Sequence, residues 1–301
     1  MTRVLVIRLG ALGDFVLSFG PFAAIRAHHP EARITLLTTP PFAILGIRSP
    51  WFDAVSIDRR PKPWDLRGLL ALRRSLRGYD MVYDLQTSSR TSRYFALAGR
   101  PDWSGIAPGC RYPHANPDRD GMHTVERQRE QLRMAGIADI PRPSVAWLGQ
   151  EPPAGLPSRY AMLVPGASPG RPAKRWPAER FAALARYLAA ESLPPVIIGT
   201  AAESRAAAAI QALCPTAIDM TGRTSLMDVA AIASGAAVAI GNDTGPMHIA
   251  AAMGCRSVVL FSSDSDPALT APRMPDGGWP TVLRVPDLAD LPAERVAAAL
   301  G

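Results

Sequence analysis

The stretch Ala236-Ala237-Val238-Ala239-Ile240-Gly241-Asn242-Asp243-Thr244-Gly245-Pro246-Met247-His248 decides how this chain folds. Its first five residues are apolar without alternation, the pattern of a strand buried on both faces of a parallel sheet. Beyond Gly245 the residues are small and compatible with a helix ending at Gly254, and Pro246 suits a first turn that needs no N–H. A strand that runs through Asp-Thr-Gly into a helix leaves free backbone N–H groups at the helix start. Such an end binds anions, phosphates above all. The plainer reading, with Asp243 or Thr244 as an ordinary N-cap, accounts for the turn equally well.

The same alternation extends in both directions. In the first half strands are expected at Val4–Leu9, Arg33–Thr38, Ala54–Ile57 and Met81–Asp84, with helices at Asp14–Ala27, Asp65–Arg77, Ser92–Ala98 and Val125–Met134. Gly149–Ser158 (GQEPPAGLPS) reads as a linker. Strands then resume at Tyr160–Val164, Val196–Gly199, Ala236–Ile240 and Ser257–Phe261. Helices are expected at Pro177–Ala190, Ala202–Leu213, Ser225–Ala233, Pro246–Met253 and Pro292–Leu300. Strand and helix in strict alternation imply an α/β protein with parallel sheets, here two successive doubly wound domains facing a central cleft. The division falls at 1–150 and 151–301.

Composition narrows the function. Of 301 residues 48% are hydrophobic, enough for substantial cores. No apolar run approaches the ~20 residues that span a bilayer. The first strand begins almost at Met1, so no signal peptide and a cytoplasmic protein are expected. Three scattered cysteines (Cys110, Cys214, Cys255) argue against a disulfide framework or a zinc site. The net charge of +7 suits an acidic partner. Of 33 basic residues only Lys62 and Lys174 are lysines, so each is a compact ammonium against an arginine background.

Two further loops carry chemistry. The first strand enters Gly10-Ala11-Leu12-Gly13-Asp14, where two glycines permit close approach at a strand's carboxyl end. This is not the dinucleotide fingerprint, and the second strand ends in Leu-Thr-Thr without a ribose-binding acid, which counts against an NAD enzyme. Asp14 is a helix N-cap or a base for a hydroxyl proton. In the second half Pro165-Gly166-Ala167-Ser168 follows a strand, and Lys174-Arg175-Trp176-Pro177 precedes a helix. Lys174 there suits a pyrophosphate; a solvated Lys-Arg pair is the alternative. Trp176 reads as packing.

Together RLGALGD, YDLQ with its downstream arginines, PGAS…AKRWPAERFA and GNDTGPMHIAAAMG resemble glycosyltransferase family 9, the ADP-heptose:lipopolysaccharide heptosyltransferases. The resemblance implies the GT-B type: two Rossmann-like domains, with acceptor in residues 1–150 and nucleotide-sugar in residues 151–301. It implies inverting transfer of a sugar, most naturally heptose from ADP-heptose, to an anionic lipopolysaccharide-core or related glycan, without cofactor or obligatory metal. By the same resemblance Asp14 is the general base and Lys174 the phosphate-binding lysine. Asp243, Thr244, Gly245 and His248 form the donor motif, with Gly166 and Ser168 on the facing loop. His248, four residues after Thr244, can face the same ligand; a structural histidine is the alternative.

On the acceptor side Gly13, Arg59, Arg60, Lys62, Gln86, Arg90 and Arg93 follow strands and could grip an anion, or be solvated surface charge. The helix Asp65–Arg77 reads as core-facing through Leu66, Leu69, Leu70 and Leu76, and its arginines suit peripheral contact with the inner membrane's inner face. Gly99–Gly121 reads as a long loop. One departure from the family pattern is Ser262-Ser263-Asp264-Ser265-Asp266-Pro267, read as a turn rather than an Asp-x-Asp metal site. Rival functions are a GT-B-type sugar-nucleotide epimerase or hydrolase, and a non-catalytic nucleotide- or phosphoglycan-binding protein. Nucleic-acid binding is disfavoured because no groove-reading motif or aromatic platform is present.

Overall fold

The apolar runs become strands buried along nearly their whole length, as two-sided burial in a parallel sheet requires. The computed structural model describes residues 1–149, 151–168 and 170–301, and the chain forms two units, Met1–Trp147 and Leu148–Gly301. Gln150, at the expected boundary, lies outside the described residues. The described part of Gly149–Ser158 carries neither helix nor strand.

The first unit holds β1 (Arg3–Ile7), β2 (Arg33–Thr38), β3 (Ala54–Ile57), β4 (Met81–Asp84), β5 (Asp102–Gly105) and β6 (Tyr112–Pro113), all parallel, in the order β3-β2-β1-β4-β5-β6. Its helices are α1 (Leu12–Val16), α2 (Phe19–His28), α3 (Ala43–Arg48), α4 (Leu66–Ser75), α5 (Ser89–Ala98) and α6 (Thr124–Met134). The second unit repeats the topology. It holds β7 (Ala161–Val164), β8 (Pro195–Ile197), β9 (Ile218–Asp219), β10 (Val238–Asn242), β11 (Ser257–Phe261) and β12 (Thr281–Arg284), in the order β12-β11-β10-β7-β8-β9. Its helices are α7 (Ala178–Ala190), α8 (Ser204–Leu213), α9 (Leu226–Gly235), α10 (Gly245–Ala252), α11 (Pro267–Thr270) and α12 (Ala293–Ala298). Each order reverses once, between β1 and β4 and between β7 and β10. At such a switch point the flanking loops part and leave a crevice at the strands' carboxyl ends.

Four expectations are corrected. The helix expected over Asp14–Ala27 is two helices, broken at Leu17–Ser18, where the Ser18 hydroxyl bonds back to the Asp14 carbonyl at 2.7 Å. Asp14 is not an N-cap: Ala11 caps α1, and Asp14 sits in its first turn. Gly99–Gly121 is no simple loop, since it contributes β5 and β6, short strands that the surrounding Pro, Gly and Arg residues conceal. The leucines of α4 are not all core-facing. Leu72 and Leu76 are buried beneath it, whereas Leu66 and Leu70 face solvent.

Candidate active site

In the first unit the crevice is organised around a buried arginine. Arg8 directly follows β1; its Nη2 lies 3.2 Å from Asp14 Oδ1, and its Nη1 donates to the Leu85 carbonyl. Burial lowers the pKa of this guanidinium, against the attraction of Asp14 and Asp84. Asp84 ends β4 and accepts the N–H groups of Gln86 and Thr87 at 3.1 and 3.0 Å. Burial pushes its carboxyl up to about 6, against those bonds and Arg8. Asp14 is the half-open member of the group, with its side chain 34% exposed. A reactant can therefore reach its carboxylate while Arg8 fixes it from behind.

The expected acceptor residues divide. Gly13 is buried in α1, one residue before Asp14. Gln86 accepts the Leu9 N–H through Oε1 at 2.8 Å, and the Arg60 Nη2 reaches the Leu9 carbonyl at 3.4 Å. Both therefore converge on the end of β1. Arg60 is held there in left-handed backbone (φ 51°), with its N–H on the Asp58 carboxylate at 2.7 Å. Arg90 lies further out but is joined to this network. It hydrogen-bonds the Tyr94 hydroxyl, which raises its own pKa, and Tyr94 donates to buried Asp58 at 2.7 Å. Arg59 and Arg93 are exposed, and Lys62 is exposed with its ammonium 5.2 Å from the centroid of the Trp64 ring. The structure does not gather these three around Asp14.

Helix α6 supplies what sequence reading missed. Gln128 donates to Ser18 at 3.0 Å, and Gln131 to the Asp84 carbonyl at 3.0 Å, so one helix fixes the α1–α2 junction and the end of β4 together. Arg127, on the same helix, has its pKa lowered by burial first, then by Arg119 and Arg8, while Asp14 raises it. Asp120, which pairs with Arg119 at 2.8 Å, raises it too, so three arginines and the two carboxylates Asp14 and Asp120 share one neighbourhood, with Asp14 the one that Arg8 holds. Arg8 left a trace in the sequence as the lone charge in the apolar run Val4–Leu9. The α6 residues left none.

In the second unit the crevice is built on Asn242, the last residue of β10. Its Nδ2 donates to the Pro165 and Gly166 carbonyls at 2.8 and 3.2 Å, and its Oδ1 accepts the Trp176 N–H at 3.0 Å. One buried amide thus ties the loop after β7 to the Lys174–Trp176 segment. Trp176 packs against Phe181 and donates to the Leu291 carbonyl at 2.9 Å, so it is structural.

Lys174 is buried, not solvated, and its ammonium meets Asp243 Oδ2 at 2.5 Å. Asp243 therefore serves the lysine and not the helix. The N-cap of α10 is Thr244, whose side chain makes no capping bond. His248, one turn into α10 and buried, brings Nε2 within 4.0 Å of Asp243 Oδ1. Gly241 has no room for a side chain, since a Cβ would lie 2.6 Å from Val164 Cβ and 2.8 Å from the Val164 carbonyl. Gly245 opens α10, and Gly166 lies across from it on the loop after β7. Ser168 is exposed, and its carbonyl accepts the Arg171 N–H at 3.2 Å.

The loop after β11 is a turn. Asp266 caps α11 by accepting the Ala268 N–H at 3.0 Å, and the Asp264 carbonyl accepts from Arg171. Among the described residues no group of three or more His, Cys, Asp or Glu could hold a metal ion. Nor, among them, is any helix long and apolar enough to cross a membrane.

Residues 69–277 match the model of a family described as glycosyltransferase family 9 (heptosyltransferase). The chain belongs to that family. It is 28% identical over 299 residues to lipopolysaccharide heptosyltransferase 2 of Escherichia coli K12, covering 90% of this chain and 85% of that protein. A family 9 glycosyltransferase from Veillonella parvula has the same fold, with a TM-score of 0.81, 22% identity, and coverage of 99% of this chain and 95% of that one. So does the E. coli heptosyltransferase WaaC crystallised with ADP-2-deoxy-2-fluoro heptose, with a TM-score of 0.79, 21% identity, and coverage of 99% and 98%. The family 9 chain described here is thus a glycosyltransferase with the two doubly wound units of the GT-B type.

Proposed function

We propose that this enzyme transfers heptose, with inversion, from ADP-heptose to an anionic lipopolysaccharide-core acceptor. The first unit receives the acceptor and the second the nucleotide-sugar. The observation that carries the reading is the Lys174–Asp243 pair beside the uncapped start of α10, at the switch point of the second sheet. It fits a diphosphate. Lysine has three donors, so Asp243 can hold one while the others meet phosphate oxygens. The helix N-terminus adds partial positive charge. Support for ADP-heptose comes from the names of the relatives, a lipopolysaccharide heptosyltransferase and a heptosyltransferase crystallised with an ADP-heptose analogue.

In the reaction the acceptor hydroxyl oxygen attacks the anomeric carbon as the bond to the diphosphate breaks. The hydroxyl proton passes to the Asp14 carboxylate, and ADP departs with the bonding electrons. Lys174 and the Thr244 and Gly245 amides at the start of α10 stabilise the charge that grows on the leaving group. Arg8 positions Asp14, and Arg60, Arg119 and Arg127 favour an anionic acceptor. No resident metal or cofactor enters this scheme, and turnover is expected to survive a chelator. A glycolipid acceptor places the enzyme in the cytoplasm, peripheral to the inner face of the inner membrane.

Isothermal titration with ADP, UDP, GDP and their sugar conjugates tests the donor. Selective ADP binding, lost in Lys174→Ala, is expected; preference for UDP or GDP would rule out heptose as the sugar.

A further inference from the structure

Helix α4 lies on the first unit with an outer face that its core does not use. Leu72 and Leu76 pack inward, while Leu66 is 70% and Leu70 52% exposed, and Trp64, just ahead of the helix, is 75% exposed. Leu66 and Leu70 are one turn apart, Arg73 continues the same line at helical spacing, and Arg77 follows in the bend after the Leu76 C-cap. Arg67 and Arg74 flank it. All four arginines are exposed, and among the described residues none has an ion-pair partner. Between Asp58 and Asp80 the chain carries seven basic residues and one acid, Asp65. That acid is engaged at the N-cap, where it accepts the Gly68 N–H at 2.9 Å. The ridge is also held firmly: a Cβ on Gly68 would lie 2.2 Å from Asp65 Oδ2 and 2.8 Å from Pro61 Cβ. The entry loop and first turn are therefore packed on each other, and Trp64 stands out from them with the Lys62 ammonium 5.2 Å from its ring centroid.

A tryptophan and two leucines at one end of a helix, with arginines around and behind them and no free carboxylate, match the chemistry of a lipid headgroup layer. The indole and leucines enter the acyl boundary while the guanidiniums meet phosphates. A protein partner of ordinary mixed charge has no use for so one-sided a surface. We propose that the Trp64–Leu66–Leu70 ridge, with Arg67, Arg73, Arg74 and Arg77, docks this enzyme on an anionic phospholipid bilayer. The proposal rests on the reading of the acceptor as a membrane glycolipid. Exposed Arg93 on the neighbouring α5 would then meet such an acceptor at the bilayer surface.

The test is flotation of the full chain with vesicles of phosphatidylcholine alone or mixed with phosphatidylglycerol, free of glycolipid. Alongside it, turnover is measured on a deacylated, soluble acceptor. Wild type is expected to float with the mixed vesicles and to be released by salt. Trp64→Ser/Leu66→Ser/Leu70→Ser should weaken that binding at least about tenfold. Arg67→Gln/Arg73→Gln/Arg74→Gln should weaken it about a hundredfold, at roughly fivefold for each arginine. Both variants are expected to keep the wild-type melting temperature and soluble turnover. Wild type that ignores the mixed vesicles, binds neutral ones equally well, or binds no better than both variants overturns the proposal. So does self-association that both variants abolish without any vesicle binding. Vesicle binding with no turnover on any acceptor upholds docking and overturns only the proposed function.

Discussion

At the scale of single residues, the two crevices use the same device: a buried polar side chain fixes a neighbour that remains accessible or reactive. Arg8 holds Asp14, and Asp243 holds Lys174. Breaking a buried ion pair by removing one partner costs about 3–5 kcal/mol, because the other charge is left stranded. Lys174→Ala is therefore expected to lower stability as well as ADP affinity. Lys174→Met/Asp243→Asn should recover most of the stability in chemical denaturation yet none of the binding in titration. Recovery of both would mean that the lysine acts only through structure. Asp14→Asn should lower turnover by about 10²–10⁴-fold while ADP affinity stays unchanged; an equal loss of both would remove its role as base. Asp84 makes a separate prediction. Its folded-state carboxyl is raised from the ordinary 3.8 to about 6. A raised pKa contributes stability fully below the unfolded value and loses it as pH rises through the folded one. That contribution, on the order of 3 kcal/mol, should disappear as pH rises across this window. Melting curves across the window should be flatter for Asp84→Asn than for wild type.

At the scale of elements, the sequence was legible where apolar residues dominate a strand and opaque where polar residues or proline break the pattern. Arg33–Thr38, Ala54–Ile57, Met81–Asp84 and Ser257–Phe261 are strands over the residues their apolar runs indicate. Strands β5, β6, β9 and β12 are short and carry polar residues or proline, so no apolar run marks them even though Trp103 of β5 is fully buried. Strand β10 lies two residues later than its apolar run, over Val238–Asn242, and the shift matters. It puts Gly241 and Asn242 inside the sheet, where the former permits close packing and the latter ties two loops together. The motif was readable as a phosphate turn, but Asn242 bonds to residues 66 to 77 positions away, which no local pattern encodes. The α4 leucines failed for the opposite reason: their spacing was helical, but only half of the face has anything to pack on. Gly241→Ala tests the element directly. Its methyl group would press on the Val164 backbone, which cannot swing aside as a side-chain end can. A loss of about 1–3 kcal/mol is expected in denaturant titration, with weaker ADP binding, because β7 carries the Gly166 loop.

At the scale of the whole molecule, each unit has its own sheet and its own buried cluster. One runs from Leu5 and Ile7 through Trp103, the other from Leu163 through Trp176 to Val296. A domain with a separate core can be stabilised separately. Ligand bound to the folded state alone adds RT ln(1 + [L]/Kd), about 2.7 kcal/mol at a hundredfold excess over Kd. If the donor site is built as proposed, ADP should slow hydrogen exchange at Val164–Ala167 and Asn242–His248, and through them at β7 and β10. The amides of β1, which pair only within the first sheet, should exchange as before. Lys174→Met/Asp243→Asn should erase the protection without altering the exchange of the free protein elsewhere. Protection appearing first around Gly10–Asp14 would instead put the nucleotide on the first unit and exchange the roles of the two halves. The experiment separates those cases because the two sheets share a topology but not a single hydrogen-bonded strand.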